Sequence, residues 1–191
     1  MKLSRLTDIK AIVDMPEDAE KATATLDLWL TIVSAEIEKF LNRTVLKGTT
    51  TDYYDVVSAY PSIHLLAYPV TSITTVWNSI SRDYSSSEIV DPSSYYVDVK
   101  TGMLWFDRSL STGPGALKVT YVGGMATDTE NFIATYPDIA GACAMEVAAR
   151  FQNRQTLGKI AVTLSGGSVT VANRSQFLTP VASVLESEVR Y

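Results

Sequence analysis

Between Ala22 and Leu41, apolar side chains recur at steps of three and four: Ala22, Leu26, Trp29, Leu30, Val33, Ile37, Phe40 and Leu41. That spacing winds one apolar stripe along about six turns of helix, and a stripe of that length demands a surface to cover it. Pro16, followed by Glu17 and Asp18, suits the helix's first turn. Proline lacks an N–H that would have no partner there, and acidic groups complement the positive end of the helix. Glu20, Asp27, Thr31, Ser34, Glu38 and Lys39 are expected on the opposite side. Leu28, Ile32 and Ala35 add a second, narrower apolar strip, which either widens the core face or meets another subunit. A short helix over Leu6–Val13 precedes, stopped around Asp14-Met15-Pro16.

After Asn42-Arg43-Thr44 the period changes to two. Strands are predicted over Thr50–Val57, Ser62–Tyr68, Ser72–Trp77, Tyr95–Val99, Met103–Phe106 and Ala116–Val122. In the third, Ile73, Thr75 and Trp77 are expected on one face, Thr74 and Val76 on the other. Pro69 breaks Leu65–Trp77 into two strands meeting at a corner. Spacers such as Asp91-Pro92-Ser93-Ser94 and Thr112-Gly113-Pro114-Gly115 are turn-rich, and Lys100-Thr101-Gly102 marks the turn of a hairpin. Many short strands with tight turns point to antiparallel pairing in a small sandwich or open barrel.

Helix returns at Tyr136-Pro137-Asp138 and runs through an Ala-rich stretch to Phe151. Apolar nearly all round and small, it is expected to be the central helix, approached closely on several sides. Ile160, Val162 and Leu164, then Val169 and Val171, alternate about Gly166-Gly167, a hairpin that is marginal alone. Thr179-Pro180 caps a last helix whose Val181, Val184 and Leu185 share a face. The fold class is therefore α+β: a helical bundle with an inserted antiparallel β-sandwich or open barrel and a separate C-terminal β-hairpin. Residues 1–43 and 127–191, with the hairpin at 159–172, form the helical body; residues 44–126 form the β insertion.

The residue types narrow the function. A formal charge of −5 in 191 residues leaves no basic footprint for gripping nucleic acid. No apolar run approaches the roughly 20 residues of a membrane span, and the N-terminus is charged where a signal peptide is apolar. The one cysteine, Cys143, excludes an internal disulfide, fits synthesis in a reducing cytoplasm and reads as a small buried hydrophobe. One histidine, His64, and one cysteine cannot make an ordinary zinc site, and a Ser-His-Asp triad would have to use that strand histidine. Asp52, Asp55, Asp91 and Asp98 lack the spacing of a calcium loop, and Gly123-Gly124 and Gly166-Gly167 lack that of a phosphate loop. No catalytic residue, cofactor or metal is expected. Tyr53-Tyr54 and Tyr95-Tyr96 leave room for sugar stacking, although one of each pair should face the core.

The order of these pieces resembles the head–tail connector proteins of tailed bacteriophages, also called adaptor or head-completion proteins. The resemblance rests on Leu6-Thr7-Asp8-Ile9-Lys10, the acidic entry at Pro16–Ala19 and a helix closing on Glu36-Ile37-Glu38-Lys39-Phe40-Leu41-Asn42-Arg43. It continues through Tyr68-Pro69-Val70-Thr71-Ser72-Ile73, Tyr95-Tyr96-Val97-Asp98 with Gly102, and Val119-Thr120-Tyr121-Val122-Gly123-Gly124. Tyr136-Pro137-Asp138-Ile139 and an Ala-rich helix ending Arg150-Phe151-Gln152-Asn153-Arg154 complete it. Compact relatives lack much of the β insertion, and the chain ends Leu185-Glu186-Ser187-Glu188-Val189-Arg190-Tyr191 instead of on the family's Leu-Leu-x-Pro-Tyr-Arg tail.

The resemblance implies a structural virion protein at the head–tail junction, made in the host cytoplasm. It implies a ring of about twelve copies between the portal protein and a stopper or tail-completion protein, with genomic DNA passing through unbound. An acidic lining suits a DNA conduit, since bound phosphates would impede passage. A head-to-tail ring needs two different faces on each copy. The candidates are Leu28, Ile32, Ala35 and the Ala-rich helix, with Ile160, Val162, Leu164, Val169 and Val171 of the hairpin and Val184 and Leu185 of the last helix. A tail-side or stopper component of the same neck is the near alternative, and a carbohydrate-binding β module the distant one.

Overall fold

A computed structural model describes residues 1–15, 20–154, 161–164, 167–170 and 177–189. The predicted helix entry at Pro16–Ala19 lies outside them. The chain packs as two compact units, one of Met1–Asn42 with the chain from Thr129 on, the other Arg43–Asp128.

The first unit is helical: α1 (Leu6–Ile12), α2 (Glu20–Leu41), α3 (Thr129–Thr135), α4 (Pro137–Gln152) and α5 (Thr179–Glu188). Helix α4 is the hub, packed against α1, α2, α3 and α5. Its small residues Ala140, Ala142, Cys143, Ala144 and Ala148 are buried, which lets four helices come close at once. Helix α2 buries Leu26, Leu30, Val33, Ile37 and Leu41, as its period requires. Ser34, expected on the solvent side, is buried instead. Its hydroxyl accepts the Leu3 N–H at 3.1 Å and lies 3.8 Å from the Cys143 sulfur, so it ties the N-terminal strand of chain to the bundle. Helix α3 carries too few turns to show a period, although Phe132 is fully buried. Proline stands at the first position of α4, as read from the sequence, but α5 starts differently. Its N-cap is Leu178, not Thr179, and no side chain caps it locally.

In the second unit, β1 (Gly48–Val56), β6 (Gly113–Gly123) and β3 (Val70–Asn78) form one antiparallel sheet in the order β1-β6-β3. Strands β2 (Ser62–His64), β5 (Met103–Phe106) and β4 (Tyr95–Asp98) form a second, in the order β2-β5-β4. Buried residues of both sheets share one apolar cluster that includes Val76, Leu104, Phe106, Leu117, Val119 and Tyr121. The central strand β6 alternates Leu117, Val119 and Tyr121 inward with Lys118 and Thr120 between them.

Two strand expectations are corrected. Strand β2 stops at His64, and Leu65–Tyr68 is irregular, yet Leu65, Ala67 and Tyr68 are buried while Leu66 faces water, because other groups serve its backbone. The Leu65 N–H donates to the Gly102 carbonyl at 2.9 Å, and the Ala67 N–H to the Tyr121 hydroxyl at 2.9 Å. Strand β3 does not alternate cleanly. Ile73 pairs with Tyr121 while Thr75 pairs with Thr120, so Thr74 is an extra residue. This bulge puts Ile73 on the core side together with Val76.

The Tyr121 hydroxyl also donates to Asp52 at 2.6 Å, and Tyr54 to the same carboxylate oxygen at 3.2 Å. Burial, with Asp52 beside both phenols, raises their pKa values far above the ordinary range. The glycines of Val119–Gly124 answer to space. A Cβ on Gly123 would lie 1.8 Å from the Ala67 carbonyl oxygen, and Gly124 has a φ of +123° against the Leu46–Lys47 backbone. Gly123→Ala is therefore expected to lose about 2 kcal/mol or more in urea unfolding. Gly48→Ala, with nothing within 4 Å, should change stability little. Equal effects would contradict this packing account.

Candidate assembly interface

At about 100° per residue, Leu28, Ile32 and Ala35 lie roughly opposite the buried Leu26, Leu30, Val33 and Ile37. Leu28 is 60% exposed and Ile32 37%, and Ala35 is exposed too. The strip thus does not widen the core face. It is an apolar face of the protomer turned to water, with exposed Lys21 and Lys39 toward its two ends.

Helix α5 behaves otherwise. Val181 and Leu185 point into the helical unit, where Leu185 is 0% exposed, so the protomer's own core uses a residue expected at an interface. Val184, one position off that face, is half-buried. Strands β7 (Ala161–Leu164) and β8 (Gly167–Thr170) pair antiparallel, with Val162 opposite Val169 and Leu164 opposite Gly167. Ile160 and Val171 lie outside the described residues.

What holds these faces in place is a carboxylate the sequence reading passed over. Glu146 sits mid-α4 with 0% exposure. One of its oxygens accepts the Arg150 Nε–H at 2.8 Å, the other the Leu178 N–H at 2.9 Å. Arg150 also pairs with Glu36 of α2 at 2.7 Å and lies over the Trp29 ring, 5.9 Å from its centre. Burial opposes the Arg150 charge, but the hydrogen bonds and charges of Glu36 and Glu146 outweigh it, and its pKa rises. One buried carboxylate thus fixes the start of α5 and, through Arg150, the flank of α2. The spacing Glu146–Arg150 was the available signal, an i,i+4 acid–base pair in an otherwise apolar helix.

The His64 Nε2 lies 2.7 Å from the Thr101 carbonyl oxygen and its ring 4.9 Å from that of Tyr68. Burial pushes the Cys143 thiol up to about 12. Among the described residues no three His, Cys, Asp or Glu side chains gather as metal ligands, and no helix is long and apolar enough to cross a membrane. Tyr53 is exposed beside Tyr84, and Tyr96 is exposed and stacked on Trp105, while Tyr54 and Tyr95 pack on the core. A groove lined by Asn78, Ile80, Ser81, Glu88, Arg108 and Ser111 carries none of these rings.

The sequence profile of one family, described as head completion protein, matches residues 5–188. The chain belongs to the head completion protein family. That match spans both units and every element from α1 to α5 apart from its outermost ends. No curated protein matches the chain.

Solved structures match its fold at low identity. A chain in the virion of the native gene transfer agent particle shares 12% identity at a TM-score of 0.59, over 97% of this chain and 88% of that one. A chain in the neck of the empty particle, determined with C6 symmetry, shares 13% at 0.61, over 97% and 89%. A chain in the neck of the native particle, determined with C12 symmetry, shares 14% at 0.55, over 98% and 92%.

Two outcomes follow from the geometry. Glu146→Ala should cost about 3 kcal/mol in denaturant unfolding, because it leaves Arg150 and the Leu178 N–H short of a partner. Glu36→Ala, at a half-exposed carboxylate, should cost less than about 1 kcal/mol, and equal costs would contradict the bridge. The Cys143 thiol should resist a thiol reagent in the native chain and label at once in denaturant. Rapid native labelling would show that α4 is not packed as described.

Proposed function

We propose that this chain is a structural subunit of a virion neck, forming a ring between the portal of a DNA-filled head and the tail and continuing the DNA channel. The observation that carries the reading is the family match along residues 5–188. Support comes from the similar chains in necks of C6 and C12 symmetry. The reading also gives the Leu28–Ile32–Ala35 face a purpose, since a ring buries such a face at every contact. About twelve copies are the proposed number.

In this reading the helical unit is the ring-forming body and the β unit an insertion, its two sheets layered as a small sandwich. The portal protein lies on one side and a stopper or tail-completion protein on the other. The net charge of −5 keeps DNA moving past without attachment. The β7–β8 pair, two strands with no third among the described residues, adds to a strand edge of a neighbour. Its role is structural, without catalysis, and its place is the virion after synthesis in the host cytoplasm.

Replacing Leu28 and Ile32 by lysine tests the contact. The double variant should melt within about 2 °C of the parent, since both side chains are solvent-exposed. It should nonetheless fail to form rings, alone or on heads, in native mass spectrometry and negative-stain images. Rings of normal size from that variant would remove α2 from the interface.

A further inference from the structure

A head-to-tail ring needs a second face, different from the α2 strip, on every copy. Helix α4 offers one. Apart from its end residues Pro137 and Gln152, its exposed positions are Asp138, Gly141 and Met145, where steps of three and four keep one line uncovered. Met145 is a large apolar side chain, yet it is 47% exposed. Gly141 is odder. A Cβ there would meet nothing within 4 Å, so nothing inside the protomer requires glycine, and glycine weakens a helix interior relative to alanine. A glycine without an internal reason, on the uncovered side of a helix rich in alanine, fits close approach by something outside the protomer.

We propose that the α2 strip of one copy packs on this α4 face of the next. This rests on the ring reading above. The two faces match in charge and length. Lys21 lies seven residues before Leu28, Lys39 seven after Ile32, and Asp138 seven before Met145. Each cation therefore stands two helical turns, about 10 Å, from a leucine or isoleucine, as Asp138 does from Met145. In either direction of crossing, a lysine meets Asp138 when Leu28 or Ile32 meets Met145. In the parallel crossing Ala24, exposed one turn before Leu28, then falls by Gly141, and in the antiparallel crossing Ala35 lies one residue from the position opposite Gly141, which keeps the helix axes close. Two α2 strips facing each other would instead set lysines against lysines when crossed in parallel.

The test uses two full-length variants, L28K/I32K with its α4 face intact and G141L/M145K with its α2 face intact. It is run in solution or on portal-bearing heads, whichever assembles the wild-type chain. Each variant alone should stay folded and fail to assemble. Their equimolar mixture should give a one-to-one heterodimer that grows no further, because one good contact forms and both outer faces are blocked. G141A alone should raise the melting temperature by about 2 °C and weaken assembly at least several-fold.

Rings of G141L/M145K, a mixture that stays unpaired, or unchanged assembly of G141A would overturn the α2–α4 contact and leave the ring reading standing. Rings of L28K/I32K would overturn it from the other side. A wild-type chain that assembles neither alone nor on heads removes the ring reading, and this contact with it.

Discussion

The helical unit depends on how closely its members approach α4. Alanine and cysteine at five of its nine buried positions give four helices short side chains to pack against, and apolar burial at that distance is dense. Such a surface offers little directional information, since alanines tolerate sliding. Glu146 supplies the direction. Its two oxygens hold Arg150 and the Leu178 N–H at once, so α5 starts at one place and α2 is held through Glu36. A buried carboxylate is costly unless fully partnered, and here the partners are what the fold must keep in register.

The β unit solves a comparable problem with a tyrosine. Tyr121 lies in the central strand, donates to Asp52 on β1 and accepts from the Ala67 backbone, so one side chain serves the irregular stretch that Gly102 meets at Leu65. The residues beyond it, Gly123 and Gly124, are small because Ala67 and the Leu46–Lys47 backbone fill the space a side chain would need. A Tyr-Val-Gly-Gly sequence thus reads as packing around the Ala67 and Leu46–Lys47 backbone.

Much of this was legible in the sequence. Helices α2, α4 and α5 follow from apolar spacing and proline, strand β5 from the hairpin turn at Lys100-Thr101-Gly102, and strand β6 from the alternation of Leu117, Val119 and Tyr121. What escaped depends on partners distant in sequence. Ser34 looks like a solvent residue until Leu3 donates to it, and Ile73 changes face only because β6 forces a bulge at Thr74. Leu185 and Leu28 are both leucines on helices, yet one fills the core and the other faces water. The seven-residue α3 is too brief for periodicity to speak. Glycine 141 was readable only in retrospect, since its meaning lies in the empty space around it.

The exposed face of α2 and the membership of the head completion family both support the proposed account, in which neighbouring copies bury that face. The most direct measurement is imaging of the purified wild-type chain mixed with portal-bearing, DNA-filled heads, with native mass spectrometry of the chain alone. The account predicts a ring of density below the portal, and rings or their fragments among the free species. A stable monomer that leaves the heads bare would contradict it.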